Sequence, residues 1–410
     1  MNHTDQPRRT RAIVAVVALA LLAGACSKSS STKASSTTAA STPPTSAAPT
    51  GPPIKLMSIL DLSGGTGTVP QNADGASTRV AAVNAAGGLN GRPLVLDLCD
   101  TRSDPNGAAD CAHKAVSEGD VALVGSESQL EANYLPIIEA AGIPNIGIVP
   151  IGLPAFKSPT AFPLSSGTTA SFSGQALELV DQGATKVSLA AINVPQAAQF
   201  APVINIGLKS KNLKLINTVL IPSPSPDMST YVASVTRNGT DGIEILLLAA
   251  DAVKFVQAVH QAGVTAKLGM ITQDPESLIK TLGPLAEGIF MTSDGKLLTQ
   301  SDDPAVKQYV ADATLAGKPQ SDRAMDTGWA AVKLFELAAK SATSIDAKGI
   351  MAAMSTMTAA DVGVYPPIDY TTPIKALPLP RIFNSQVLYA KVQNGKEVAL
   401  TGQFVNAFGG

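Results

Sequence analysis

Aromatic residues make up only 4% of this 410-residue chain, and there is a single tryptophan, Trp329. Charge is also sparse: Asp, Glu, Lys and Arg together are 15%, for a formal net charge of -2. Proteins that grip nucleic acid need a basic face, often with aromatic platforms for the bases. No cluster of lysine or arginine stands out, so no nucleic-acid partner is expected. The histidines are His3, His113 and His260. Neither His113 nor His260 has a nucleophile or carboxylate placed beside it in sequence, and no nucleophile elbow occurs. We therefore expect no catalytic residues and no enzyme. His113 lies near Cys111, but no ligand set has metal-like spacing, so neither metal nor cofactor is expected. Beyond the first residues, no apolar run is long enough to span a bilayer.

The short apolar run is at the start. Ile13 to Leu22 follows Arg8, Arg9 and Arg11 and leads into Ala23-Gly24-Ala25. A basic start, a short greasy segment and small residues describe a secretory signal. Cys26 stands directly behind it, and the arrangement resembles the lipobox of bacterial lipoproteins. The resemblance implies removal of residues 1–25 and lipidation of Cys26. An ordinary signal with a coincidental cysteine is the alternative. Residues 26–53 are almost wholly Ser, Thr, Ala, Pro and Gly. Such a segment has too little to bury to offset the entropy of ordering. It reads as a disordered tether that holds a body off a membrane.

With Cys26 given to lipid, Cys99 and Cys111 remain as a pair in an oxidising compartment. Cys99 ends a predicted strand and Cys111 lies in the next predicted helix, close enough to bridge. Two unpaired buried thiols are the alternative.

From Ile54 onward, strands and helices alternate. Strand-like runs fall at 54–60, 93–99, 121–124 and 143–148, with helical spacing over 69–86, 105–117 and 131–141. The rhythm restarts with strands at 186–192, 213–221, 242–248 and 267–271 and helices between them. This predicts an α/β protein with mostly parallel sheets in two lobes. Three helices follow, over 303–316, 322–341 and 346–357. A proline-rich stretch then leads to two strands joined by Asn394-Gly395, a hairpin signal.

Residues 81–93, Ala-Ala-Val-Asn-Ala-Ala-Gly-Gly-Leu-Asn-Gly-Arg-Pro, resemble the branched-chain amino-acid-binding family of extracytoplasmic solute receptors. Further matches follow in order at Asp104-Pro105, Val124-Gly125, Ala141 to Pro144, Asp251-Ala252, Ala262-Gly263 and Glu287-Gly288. The resemblance implies a type I periplasmic binding protein with three crossings between its lobes. Lobe one would comprise residues 54–165 and 293–365, and lobe two 166–292 and 366–410. It further implies a monomer that captures a small polar solute, an amino acid or related amide or acid. The solute would pass to the permease of an ABC importer at the cell membrane. A sensor of the same fold that signals to a membrane partner is the alternative.

Ligands of open α/β sheets sit beyond the carboxyl ends of strands. In the loop 63–68, Thr66 and Gly67 are candidates, because glycine lets backbone approach a ligand and a hydroxyl can hydrogen-bond it. In the loop 125–129 the resemblance implies that Ser128, with Ser126 beside it, grips a ligand carboxylate. Either serine also reads as a helix N-cap. Val149 and Ile151 stand in a third loop, where amino-acid receptors usually carry small and hydroxyl residues. That departure counts against an ordinary amino-acid clamp. In lobe two the candidates are Asn193, Asp251 and Asp274. Asp274 is the best placed to meet an ammonium group, although for both aspartates an N-cap is the better reading.

Overall fold

The structure is a computed structural model that describes residues 48–64, 68–194, 197, 199–272, 274–321 and 324–409, with backbone only at 324–326. Cys26, the signal and most of the tether lie outside the described residues.

The first sheet contains β1 (Ile54–Leu60), β2 (Leu94–Asp100), β3 (Ala122–Val124), β4 (Asn145–Ile146) and β5 (Ala161–Phe162). They run parallel in the order β2-β1-β3-β4-β5. β1 is a nearly continuous apolar run because it is covered on both faces, as a central parallel strand must be. Its helices are α1 (Pro70–Ala85), α2 (Pro105–Glu118), α3 (Glu131–Ala141) and the short α4 (Leu153–Lys157). α2 begins where Asp104 accepts the N–H groups of Asn106 and Gly107, both at 2.9 Å, with Pro105 in the first turn. It ends at Gly119, whose left-handed φ of 72° suits a residue without Cβ. Cys99 and Cys111 are joined by a disulfide, with Cα atoms 5.7 Å apart. The bridge ties the edge strand to α2.

The chain then builds a second sheet. α5 (Thr168–Asp181) leads into β6 (Val187–Ile192), α6 (Phe200–Ser210), β7 (Asn217–Ile221) and α7 (Ser229–Val235). β8 (Gly242–Leu246), α8 (Ala249–Gln261), β9 (Lys267–Met270), α9 (Pro275–Leu282) and β10 (Phe290–Ser293) follow. Next come α10 (Pro304–Ala316), α11 (Ala324–Ser341) and α12 (Ala347–Ser355), and finally β11 (Gln386–Gln393) and β12 (Lys396–Asn406). The sheet order is β7-β6-β8-β9-β10-β11-β12, parallel as far as β10 and antiparallel beyond it. The first five strands repeat the order of the other sheet, so the two lobes share one winding pattern.

Side-chain packing shows how the chain passes between them. Tyr309 of α10, Trp329 of α11 and Ile350 of α12 share a core with Ile54, Leu56 and Phe162 of the first sheet. These helices therefore belong to the first lobe, although the second sheet precedes and follows them. The stretch before β11 straddles both lobes. Tyr370 and Phe383 join the first core, while Leu377 and Ile382 pack with Val387 in the second. Trp329 is fully buried, and its Nε1 donates to Asp312 at 2.8 Å. Arg79 bridges Asp312 at 2.8 Å and Glu336 at 2.6 Å, joining α1, α10 and α11. α1 and α11 touch closely at Gly328, where a Cβ would run into the Asn72 carbonyl.

Several elements depart from the sequence expectations. The run 143–148 forms only two ladder residues, because Gly147 turns to a left-handed φ of 67°. β12 extends to Asn406, whereas the sequence pattern predicts a last strand only over 397–400, since β12 follows β11 along its whole length. The hairpin at Asn394 and Gly395 has positive φ at both residues, 52° and 71°, as a type I′ turn requires.

Candidate functional site

A cavity of about 180 Å³ opens between the carboxyl ends of strands from both sheets. From the first lobe, Glu127 and Gln129 reach it after β3, and Val149, Pro150 and Ile151 after β4. Thr327 of α11 and Tyr365 complete that wall, with their hydroxyls 2.7 Å apart. The opposite wall is the first turn of α5 (Gly167, Thr168, Ser171, Phe172), together with Ile271 after β9. Ser293, Asp294 and Gly295 close it after β10. A larger groove, about 780 Å³, runs between α9 and the β11–β12 turn. It is lined by α9, by Leu298, Thr299 and Ser301 after β10, and by the β11–β12 turn, with no described residue from the first sheet or its loops. The smaller cavity is lined by loops that follow strands of both sheets.

The loop after β4 is held by a buried carboxylate. Glu131 accepts the N–H groups of Ile151 (2.7 Å), Gly152 (3.0 Å) and Ala155 (3.2 Å). Burial pushes its pKa up to about 7, and those three donors pull the other way. The same loop leans on the start of α5. Gly167 has a left-handed φ of 53°, and a Cβ there would meet the Pro150 carbonyl. Glu127 is buried and its pKa is raised to about 7, first by desolvation and then by the charge of Asp61. A hydrogen bond from Asn72 Nδ2 at 3.4 Å opposes the rise. Asp294 is only partly buried, and its Oδ1 accepts the Ser171 hydroxyl at 2.8 Å. The walls between these carboxylates are largely apolar: Val149, Pro150, Ile151, Phe172 and Ile271.

Of the described candidates read from sequence, only Val149 lines this cavity. Ser126 is fully buried, and its hydroxyl accepts the Ile59 N–H at 3.1 Å. Ser128 donates to Asp61 at 2.6 Å and accepts the Leu130 N–H at 3.1 Å in a local turn; it is not the N-cap of α3, a position taken by Leu130 without a side-chain capping bond. Asp61 also accepts the Gln129 N–H at 2.9 Å, so it gathers the loops after β1 and β3. Asn193 is exposed after β6. Asp251 is buried, accepting the Ser225 N–H at 3.2 Å and lying 3.7 Å from Lys254. Asp274 caps α9 through the Ser277 N–H at 2.9 Å. Thr66 and Gly67 lie outside the described residues. Sequence reading missed the α5 start and the Ser293-Asp294-Gly295 turn. A polar turn at the end of an apolar strand was the available signal for the latter. Among the described residues no group of His, Cys, Asp and Glu could hold a metal ion, and no helix is long and apolar enough to cross a membrane.

Two wound α/β lobes with three passages between them and a cavity at their strand ends define a type I periplasmic binding protein. The sequence model of the periplasmic binding protein family matches residues 53–377, and the chain belongs to that family. Its members are solute-binding proteins rather than enzymes, which implies a small-molecule ligand and a membrane permease as partner. Solved structures agree at the level of the fold. A substrate-binding periplasmic protein from Ralstonia solanacearum is 19% identical with a TM-score of 0.70, covering 84% of this chain and 99% of that one. A leucine-, isoleucine-, valine-, threonine- and alanine-binding protein from Brucella ovis, in a closed conformation, is 17% identical with a TM-score of 0.73, covering 87% and 96%. An ABC-transporter solute-binding protein from R. palustris in complex with benzoate is 18% identical with a TM-score of 0.67, covering 85% and 96%. No curated protein matches the chain in sequence.

Proposed function

We propose that the chain is an extracytoplasmic lipoprotein, anchored through Cys26, that captures a small polar solute between its lobes and delivers it to an ABC importer. The observation that carries this reading is the cavity lined from both lobes at the strand ends. Its volume is about 180 Å³. That suits a molecule the size of an amino acid or a related amide or acid better than a long lipid chain. The hydroxyls of Thr168 and Ser171 and the carboxylates of Glu127 and Asp294 can orient a polar head, while Val149, Ile151 and Ile271 take an apolar body. The lipobox resemblance at Ala23 to Cys26 supports the anchor. A thermal-shift screen of amino acids, amides, amines and short acids tests the function, because a ligand of the folded state raises the melting temperature by mass action. Its binding should also contract the protein in small-angle scattering. Labelling of Cys26 by a radioactive fatty acid in a bacterial host, lost in Cys26→Ser, tests the anchor.

A further inference from the structure

We infer that the cavity selects a small organic cation, an amine without a carboxylate of its own, in place of a zwitterionic amino acid. The inference rests on the cleft being the solute site. Glu127 comes from the first lobe and Asp294 from the segment after the second lobe's β10, and both line the same space. A positively charged head held between them would bind both walls and favour closure. The loop after β4 presents the apolar side chains of Val149 and Ile151 to this space. Its Ile151 and Gly152 N–H groups are already taken by Glu131. A buried ligand carboxylate on that side would lack partners, which is costly. The cavity lining includes two acidic side chains, Glu127 and Asp294, and no Lys, Arg or His among the described residues.

Charge at Glu127 gives the inference a second readout. Around it stand Asp61 after β1, Asn72 on α1 and Tyr134 on α3. Burial and the Asp61 charge keep part of the Glu127 population protonated near neutrality. A cation binds the ionised form, so its affinity should rise with pH through about 7. A neutral ligand that accepts a proton from Glu127 would show the opposite slope.

The test is calorimetric titration with four molecules that share one apolar body: isoamylamine, leucine, isocaproamide and isocaproate. The same four heads on propyl and benzyl bodies extend the series. The amine should bind most tightly within at least one body, and Glu127→Gln and Asp294→Asn should each weaken it roughly tenfold or more. The rise in affinity with pH should vanish in Glu127→Gln. Tighter binding of a zwitterion or an acid, or no amine binding at millimolar concentration, overturns the inference. Failure of the underlying site reading looks different. Ile271→Trp, or Thr168→Phe should that variant not fold, fills the cavity and should abolish binding of every head group. An amine that binds the filled variants undiminished sits elsewhere on the molecule.

Discussion

Glu127 should make the folded protein less stable as pH rises, and Glu127→Gln should remove that effect. The folded carboxyl titrates near about 7 against an ordinary 4.5, because burial and the Asp61 charge disfavour its ionised form. Between those values the folded state holds a proton that the unfolded state has released. Stability therefore falls with rising pH, beginning near the unfolded value and levelling above the folded one. The full gap corresponds to roughly 3 kcal/mol at alkaline pH. Glutamine has nearly the same shape and carries no charge, so the variant should gain up to that amount near pH 8 but less than about 1 kcal/mol near pH 5. Other buried acids, Glu178 and Glu244 among them, also have raised pKa values and steepen the wild-type profile. The difference between wild type and variant isolates Glu127. Urea unfolding at several pH values measures it. A variant that is destabilised equally at both ends, or a difference independent of pH, would refute the reasoning.

Other expectations concern the framework of the site. Glu131→Gln should behave unlike Glu127→Gln and destabilise at neutral pH, since one amide oxygen cannot hold three backbone donors; ligand affinity should fall with it as the 149–152 loop loosens. Removing the Cys99–Cys111 bridge should cost about 3 kcal/mol in the chain-entropy model, read from denaturation of Cys99→Ala/Cys111→Ala. Gly167→Ala should lower both stability and affinity, because it combines positive φ with a collision at Pro150, and titration alongside thermal melting would register the two losses. Asp274→Ala should cost about 1 kcal/mol through loss of the α9 cap and leave ligand affinity unchanged, a result that separates its capping role from ligand contact.

The fold was legible because periodicity and punctuation agreed. Asp104-Pro105 and Gly119 bound α2 by local chemistry alone, and Asn394-Gly395 names its own turn. The disulfide followed from two cysteines at a strand end and in the next helix. The site was far less legible. Loop serines and aspartates attract attention as ligands, yet Ser128 and Asp274 satisfy backbone N–H groups within their own turns. That competition is decided by geometry a few residues long, and both roles use the same residue types. The lobe-two guesses Asn193 and Asp251 lie at the topological switch between β6 and β8. The cavity opens instead over β9 and β10, a consequence of how the lobes face each other, which no local pattern encodes. Val149 was the exception: it stands in a loop where small and hydroxyl residues were expected, and it does line the cavity.

The most direct test of the central claim is a crystal structure of the chain with a ligand found by thermal shift. The account predicts ligand density between Val149–Ile151 on one side and Ser293–Gly295 on the other, with groups from both lobes in contact. Density in the groove between α9 and the β11–β12 turn, with the strand-end cavity empty, would contradict it.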